Sequence, residues 1–460
     1  MISVLVFGGA ALAAVVYLLV LPVFNYFYDA KGLRKYTNFS PLSGFTDLRH
    51  ESPILRTGPN SLSFGDIRAV KDLYGHSTRC IKDLNNTILG GSHTHLWEYK
   101  VAYSTQRLLN AMDAHCTDPM LPSQTIPDPK DVTLDWAKWI NLFTIEAINN
   151  IALSSPMDLL DTGTDNVTAQ KMDGTTYPAR YRFSRDQLVH AQAIFVWDYK
   201  HYSWLAWLSK LRPKWRKMWT NGEPWSDVIY HQAATRLQRS LDGEKLDDFF
   251  TSLMEDKQGN PNNLEWGEIN AGSDTTAIAL TQVLEFLLQH PECLCQLREE
   301  VDSVLDEDEV VAAYDKVKNL PYLRACLDEA LRLFPPTSAG LPRRTPPEGA
   351  SIMGEWIPGD TSVSMTIYGT HRDPTIFPDP ETYRPARWLD EDARKRMEPY
   401  FIPFSAGARG CIGRNVSYLE QTVVLASIVR RYGFVLPRPE WNLDRREAFN
   451  LLVGEMPVKI

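Results

Sequence analysis

Phe404-Ser405-Ala406-Gly407-Ala408-Arg409-Gly410-Cys411-Ile412-Gly413 is the stretch whose reading decides the fold. It satisfies the pattern F-x-x-G-x-R-x-C-x-G at all five specified positions. Chemically it is a thiol in a glycine-kinked loop, with a guanidinium two residues before it. Beyond Gly413, apolar residues at Val416, Leu419, Val423 and Ile428 recur at helical spacing. A thiolate close to a helix N-terminus gains from the helix dipole and from N–H groups that can bond its sulfur. Such a thiolate is a good anionic ligand for a soft or redox-active metal. The bland alternative, a buried structural cysteine, is the usual fate of a free thiol, but it does not call for this loop.

Two further segments lie upstream. Asn270-Ala271-Gly272-Ser273-Asp274-Thr275-Thr276 opens a run with Leu280, Val283, Leu284, Leu287 and Leu288 at helical spacing, which Gln289-His290-Pro291 stops. Small residues at Ala271 and Gly272 let a helix backbone approach a flat ligand, and an adjacent acid and alcohol, Asp274 and Thr275, can pass protons. Taken alone, the Ser/Asp/Thr cluster could simply bond its own helix backbone. Glu329-Ala330-Leu331-Arg332 lies in a helix opened by Pro321, with Leu323, Leu327, Ala330 and Phe334 as its apolar face. Glu329 and Arg332 fall one turn apart on another face, and taken alone they are an exposed ion pair worth little.

In this order the segments resemble the cytochrome P-450 family, and the resemblance covers most of the last two hundred residues. It implies a mainly α fold with small β-sheets, the haem-thiolate architecture, with a sheet region near the N-terminal side of the catalytic domain. It implies Cys411 as the axial ligand of haem b iron, where thiolate ligation favours O–O cleavage. Phe404, Gly407 and Gly413 are then part of the cofactor loop, and Arg409 and Arg343 pair with the propionates. Ala271 and Gly272 lie along the haem and leave space for dioxygen, Asp274 and Thr275 guide protons, and Thr337 to Leu341 face the substrate. The family also joins its E-x-x-R pair to an arginine of a later P-E-R-W motif. Here that segment reads Tyr383-Arg384-Pro385-Ala386-Arg387-Trp388, so Arg387 completes a buried triad with Glu329 and Arg332, and Ala386 departs from the usual glutamate.

The implied activity is that of a haem-thiolate monooxygenase oxidising a small lipophilic compound with dioxygen and electrons from NADPH, delivered by a flavoprotein reductase. Leu341-Pro342-Arg343 and Phe404-Ser405-Ala406-Gly407-Ala408-Arg409 look most like filamentous-fungal members, which implies secondary-metabolite biosynthesis or detoxification of phenolic and aromatic compounds. Two rivals stand beside it. One is a haem-thiolate isomerase or dehydratase, against which Asp274 and Thr275 argue because such enzymes need no proton relay. The other is a truncated paralogue that binds haem weakly.

The chain has 460 residues, 44% of them hydrophobic and 11% aromatic, enough for a large core. A formal net charge of −9 argues against nucleic-acid binding as its activity. Residues 2–28 carry no charged side chain. The apolar part, Ile2–Val23, would span about 33 Å as a helix, enough to cross a hydrocarbon core of about 30 Å. Phe24, Tyr26, Phe27 and Tyr28 then form an interfacial cluster, with Lys31, Arg34 and Lys35 on the cytoplasmic side. A cleaved signal peptide would need a basic n-region and a shorter apolar run. The expected organisation is a transmembrane anchor over residues 1–28 and one catalytic domain over 29–460. Localisation is then the endoplasmic reticulum membrane, single-pass, with the catalytic domain in the cytosol. The six cysteines fit a reducing compartment, and the sequons at Asn38, Asn85, Asn166 and Asn415 would be unused there. Asp161–Gly174 reads as a polar loop, and Ser351–Ile357 and Thr361–Ile367 read as strands around the Pro358-Gly359-Asp360 turn.

Three stretches fit less simply. A propionate-binding Trp-x-x-x-Arg pair is expected in the first third of the chain, where only Trp97 and Lys100 offer an echo of it. Trp97-Glu98-Tyr99-Lys100 belongs either to that helix or to the start of the amphipathic helix over Thr105–Cys116, with coding residues missing near Ser92. Pro261 precedes Asn270 by only nine positions, room for at most about 13 Å of helix, so a second gap is expected near Ile269. Trp204, Trp207, Leu211, Trp215 and Trp219, interleaved with cations, suit either a membrane interface or an amphipathic helix with core tryptophans.

Overall fold

The computed structural model describes residues 16, 31–38, 53–58, 60–82, 97–121, 123–193, 202–248, 250, 267–407, 410–447 and 450–460. These residues gather into two compact units. The architecture is mainly helical with small sheets, as the sequence implies. Of the expected anchor only Val16 is described, and among the described residues no helix is long and apolar enough to cross a membrane.

The first unit takes its residues from the chain up to Thr87, from Thr337–Thr382 and from Lys395–Cys411. Its centre is a six-stranded sheet. Ile54–Gly58 and Ser61–Phe64 form an antiparallel pair, and Ser61–Phe64 runs parallel to Ser362–Met365, with Leu62 opposite Val363 and Phe64 opposite Met365. Those four side chains are buried with Leu33, Leu73, Ile357 and Ile402 in one apolar cluster, against which the short helix Ala69–Tyr74 also packs. Ser351–Ile357 is not one strand. It folds into the hairpin Ala350–Ile352/Glu355–Ile357, because Met353 (φ 56°) and Gly354 (φ 81°) make a turn with two left-handed residues, the geometry that matches strand twist.

The second unit holds Ile88–Pro336, Tyr383–Arg394 and Ile412–Ile460. Trp136–Leu153 is its central helix, buried on nearly every face, as an all-round apolar sequence requires. Against it lies the long helix Gly267–Gln289. Leu280, Leu284 and Leu287 of the long helix share a core with Phe143, Leu323, Leu425 and Ile428. Pro291 and Pro321 each sit in the first turn of their helices, Pro291–Asp302 and Pro321–Leu333, where no N–H partner is lost. The helix read over Thr105–Cys116 runs instead over Glu98–Asp113. The tract read as a loop contains a strand. Asn166–Gln170 pairs with Thr176–Arg180, with Ala169 and Ala179 buried and Asp173-Gly174 (φ 89°) in the turn, a hairpin signal hidden in polar composition.

Gly340 has φ +85°, and a Cβ there would lie 1.9 Å from the Met365 carbonyl oxygen. Gly340→Ala adds a left-handed strain of about 1–2 kcal/mol to a backbone overlap that only main-chain movement relieves. A loss of more than about 2 kcal/mol in chemical denaturation is expected; wild-type stability in that variant would place Gly340 in a looser turn.

Candidate active site

In the first unit the cysteine loop is closed by its own backbone. Cys411 N–H donates to Phe404 O at 2.8 Å, Gly410 N–H to Gly407 O at 3.1 Å, and Ser405 N–H to Ile402 O at 2.9 Å. Ser405 (φ 59°) and Gly407 (φ 65°) both take left-handed backbone. A Cβ on Gly407 would meet the Tyr74 carbonyl oxygen at 2.4 Å, so only glycine lets the loop press onto the end of helix Ala69–Tyr74. Cys411 itself is exposed, whereas Cys80, Cys293 and Cys326 are buried. Burial raises the Cys80 and Cys326 thiols above the ordinary range, which suits inert structural roles.

Arg343 is brought to the same loop. Its guanidinium is 1% exposed, donates from Nη2 to Ser405 Oγ at 3.1 Å and lies 4.8 Å from the Tyr74 ring centroid. The Tyr74 hydroxyl in turn donates to Leu341 O at 3.0 Å. Tyr74 therefore holds three things at once: the glycine of the loop, the arginine, and the chain two residues before that arginine. No motif reading of the sequence singled it out. Arg409 lies outside the described residues. Phe404 is half-buried, and Gly413 caps the helix Arg414–Arg431.

In the second unit the long helix carries the polar segment. Asp274 lies 2.7 Å from Arg185 Nη1, and Arg185 also binds Asp186 Oδ1 from Nη2 at 2.9 Å. Burial raises the Asp274 carboxyl above its usual range although Arg185 pulls the other way. Asn141 Nδ2 stands 3.5 Å from the same carboxylate oxygen. Arg185, on helix Tyr181–Ala193, is a second partner that the sequence did not mark, because nothing in its local pattern is distinctive. Thr275 is half-buried, and Thr276, buried, shares a 2.9 Å hydrogen bond with Ser417 Oγ. A Cβ on Gly272 would come 3.1 Å from Ile148 Cδ1, so its lack of a side chain serves packing against Trp136–Leu153. Ala271 lies in the helix, and its side chain is outside the described part.

Glu329, Arg332 and Arg387 come together in the core. Arg332 donates to both carboxylate oxygens at 2.9 Å, from Nε and Nη2, and Arg387 Nε adds a third bond at 2.9 Å. The Arg384 N–H at 3.0 Å and the Trp388 indole N–H at 2.9 Å complete the set. Both Glu329 and Arg332 are fully buried, so the solitary exposed pair suggested by their spacing is not what forms. Ala386 takes no part; the backbone and indole donors beside it fill the carboxylate's remaining lone pairs.

Trp97 directly precedes helix Glu98–Asp113 and is buried. Lys100 spends all three ammonium protons inside the protein, on Asn150 O at 2.8 Å, on Ser154 Oγ at 2.9 Å and on the Asp247 carbonyl. It is a tie between segments, with no donor left for a propionate. The gaps expected near Ser92 and before Ile269 fall outside the described residues and side chains, and the long helix begins at Gly267. The tryptophan-rich stretch divides. Trp204 and Trp207 of helix Tyr202–Ser209 are exposed, while Trp219 of helix Pro213–Leu241 is buried with its indole donating to Ser209 Oγ at 2.8 Å.

The cysteine loop thus presents an exposed thiol, a soft anionic donor when ionised, with a buried arginine bonded to the same segment. The family model for cytochrome P450 matches residues 75–460. The chain belongs to this family, whose members are oxidoreductases that incorporate an atom of molecular oxygen and carry haem on a cysteine thiolate. It is similar to a cytochrome P450 monooxygenase of Aspergillus terreus, 29% identical over 84% of this chain and 83% of the relative. It is similar to tryprostatin B 6-hydroxylase of Aspergillus fumigatus, 25% identical over 88% of this chain and 73% of the relative. The cytochrome P450 monooxygenase cicH of Emericella nidulans is 32% identical over 67% of this chain and 62% of its own length.

Removing one partner from a buried charge network leaves the others unpaired, at a typical cost of about 3–5 kcal/mol. Glu329→Ala strands two buried guanidinium groups and should yield little folded protein. Chemical denaturation and soluble yield check this, and near-wild-type values in the variant would contradict the network.

Proposed function

We propose that this chain hydroxylates a small lipophilic compound in fungal secondary metabolism, with haem b held by the Cys411 thiolate. The observation that carries the reading is the loop from Phe404 to Cys411: its bonds, its two left-handed residues and its buried arginine leave one exposed thiol at the end of a preset turn. The donor set fits the group, with a soft anionic ligand for iron and a guanidinium for carboxylates. When bound, the haem supplies activation of dioxygen for insertion of one oxygen atom into a C–H bond.

The residues have separate tasks. Cys411 ligates, and the Cys411 N–H to Phe404 O bond fixes where its side chain starts. Arg343, with Arg409, offers cationic donors to the propionates, and Tyr74 keeps Arg343 from swinging away. Asp274 takes up and releases a proton at its carboxylate, and its raised pKa moves that carboxyl toward the working pH. Thr275 passes the proton on from its hydroxyl. Electrons come from NADPH through a flavoprotein reductase, and residues 1–28 anchor the chain in the endoplasmic reticulum membrane. Support for the substrate class comes from relatives such as tryprostatin B 6-hydroxylase. A role in detoxifying phenolic or aromatic compounds uses the same chemistry.

Cys411→Ser should abolish the far-red-shifted Soret band of the ferrous carbon-monoxide complex, while Cys80→Ser, Cys293→Ser and Cys326→Ser leave its position unchanged. A Soret band retained in Cys411→Ser would remove the thiolate assignment. Thr275→Ala should keep haem and substrate binding yet divert most reducing equivalents to peroxide, a loss of about 10²-fold or more in the coupled rate. Coupling equal to wild type would favour an isomerase or dehydratase reading.

A further inference from the structure

Glu420 is a buried acid with no task so far. It sits in helix Arg414–Arg431, 2% exposed, and its Oε1 has no hydrogen-bond partner among the described residues. Its polar neighbour is the Thr276 hydroxyl of the long helix. Thr276 Oγ1 shares its 2.9 Å bond with Ser417 Oγ, either atom being able to donate, and Ser417 Oγ accepts from Gln421 Nε2 at 2.9 Å.

Among the described residues no cation compensates Glu420. The helices packed against its own are Glu98–Asp113, the long helix, Pro291–Asp302, Tyr314–Val317 and Pro321–Leu333. Several of their ionisable side chains are engaged elsewhere: Arg107 with Glu146, Asp274 with Arg185, Glu285 with Arg445, Asp328 with Arg324. Glu98 accepts from the Tyr314 N–H, Arg298 donates to the Val429 and Tyr432 carbonyls, and Glu300 accepts from the Tyr322 and Leu323 N–H groups. Lys100 and Glu329 are saturated as described, and Lys316 pairs with Asp306 and Glu309. On its own helix, Tyr418 donates to Asp328 and Arg431 binds Asp113. An ionised carboxylate in this place would be an uncompensated buried charge, one oxygen of which has no donor, and proteins neutralise such a group instead.

We propose that Glu420 is a positioning residue held as a neutral carboxylic acid, whose O–H donates to Thr276 and so fixes the direction of the hydroxyl chain Thr276–Ser417 next to Thr275. With the acid protonated, Thr276 accepts from Glu420 and donates to Ser417. With it ionised, Thr276 must donate to the carboxylate and Ser417 must donate to Thr276. One proton thus sets the polarity of a hydrogen-bond chain that ties the long helix to the helix following the cysteine loop in sequence. Burial pushes this carboxyl up to about 8, which puts the reversal at mildly alkaline pH.

The sign follows from linkage. A carboxyl whose folded pKa is raised adds stability below its unfolded pKa and loses it as pH rises through the folded value. The melting temperature of the purified full-length chain should therefore fall, relative to Glu420→Gln, as pH rises from about 4.5 to about 8, and run parallel above that. Glu420→Gln keeps a neutral donor, so it should match wild-type coupling at neutral pH and lack the alkaline limb near pH 8. Parallel melting curves over the whole range would overturn the proposal, and so would a destabilised variant at every pH. Should Glu420→Gln not fold, infrared titration of wild type labelled with ¹³C-glutamate reads the same group. A protonated C=O stretch lost with a midpoint near pH 8 supports the proposal, and no such band at neutral pH overturns it. Melting and infrared readouts need no turnover, so they stand apart from the reaction proposed above.

Discussion

One carboxylate, that of Glu329, constrains much of the helical unit. A fully buried charge is tolerated only when donors surround it, and Glu329 has N–H groups from Arg332, Arg384, Arg387 and Trp388. Those donors come from a helix turn, a backbone amide, a short 3₁₀ segment and an indole, and none can move without exposing the charge. Tyr383, just before them, stacks on Phe286 with ring centroids 4.8 Å apart and donates to Cys326 O at 3.2 Å. The irregular segment around residues 383–388 is thereby fastened to the helix Pro321–Leu333 and to the long helix. Apolar packing alone could not give a segment whose regular structure is a single short 3₁₀ turn, Pro385–Trp388, so definite a path.

The sheet unit uses a different device. There the aromatic ring of Tyr74 sits under a guanidinium, its hydroxyl takes the Leu341 carbonyl, and its own carbonyl forbids a side chain on Gly407. Arg343 is thus buried between an aromatic face and the Ser405 hydroxyl, and those two neighbours fix the direction of its guanidinium within the unit.

What the sequence made legible was what a motif or a period carries. The cysteine loop, the acid–alcohol segment, the proline-opened helices and the Glu329–Arg332 pair stood out by residue type and spacing, and Arg387 was implied by the family resemblance. Burial was less legible: a Glu and an Arg one turn apart on a helix look alike whether they face solvent or core. Tyr74 and Arg185 were invisible because their partners lie hundreds or scores of residues away and their own surroundings are ordinary. Lys100 resembled a propionate donor by position, and only its three internal acceptors tell otherwise. The hairpins at Met353-Gly354 and Asp173-Gly174 were obscured by reading composition and alternation ahead of turn chemistry.

The pairing of Ser61–Phe64 with Ser362–Met365 joins strands roughly three hundred residues apart. Closing so large a loop costs only logarithmically more entropy than closing a short one, but contacts so distant in sequence slow folding. During synthesis the hairpin Ile54–Gly58/Ser61–Phe64 keeps one edge unpaired until most of the chain has emerged from the ribosome, and the cysteine itself follows some fifty residues later. The unpaired edge of Ser61–Phe64 is then an aggregation hazard for as long as translation lasts. This chain is therefore expected to depend on chaperones and on an unhurried late stage of synthesis, and shortened or stalled products should be recovered insoluble.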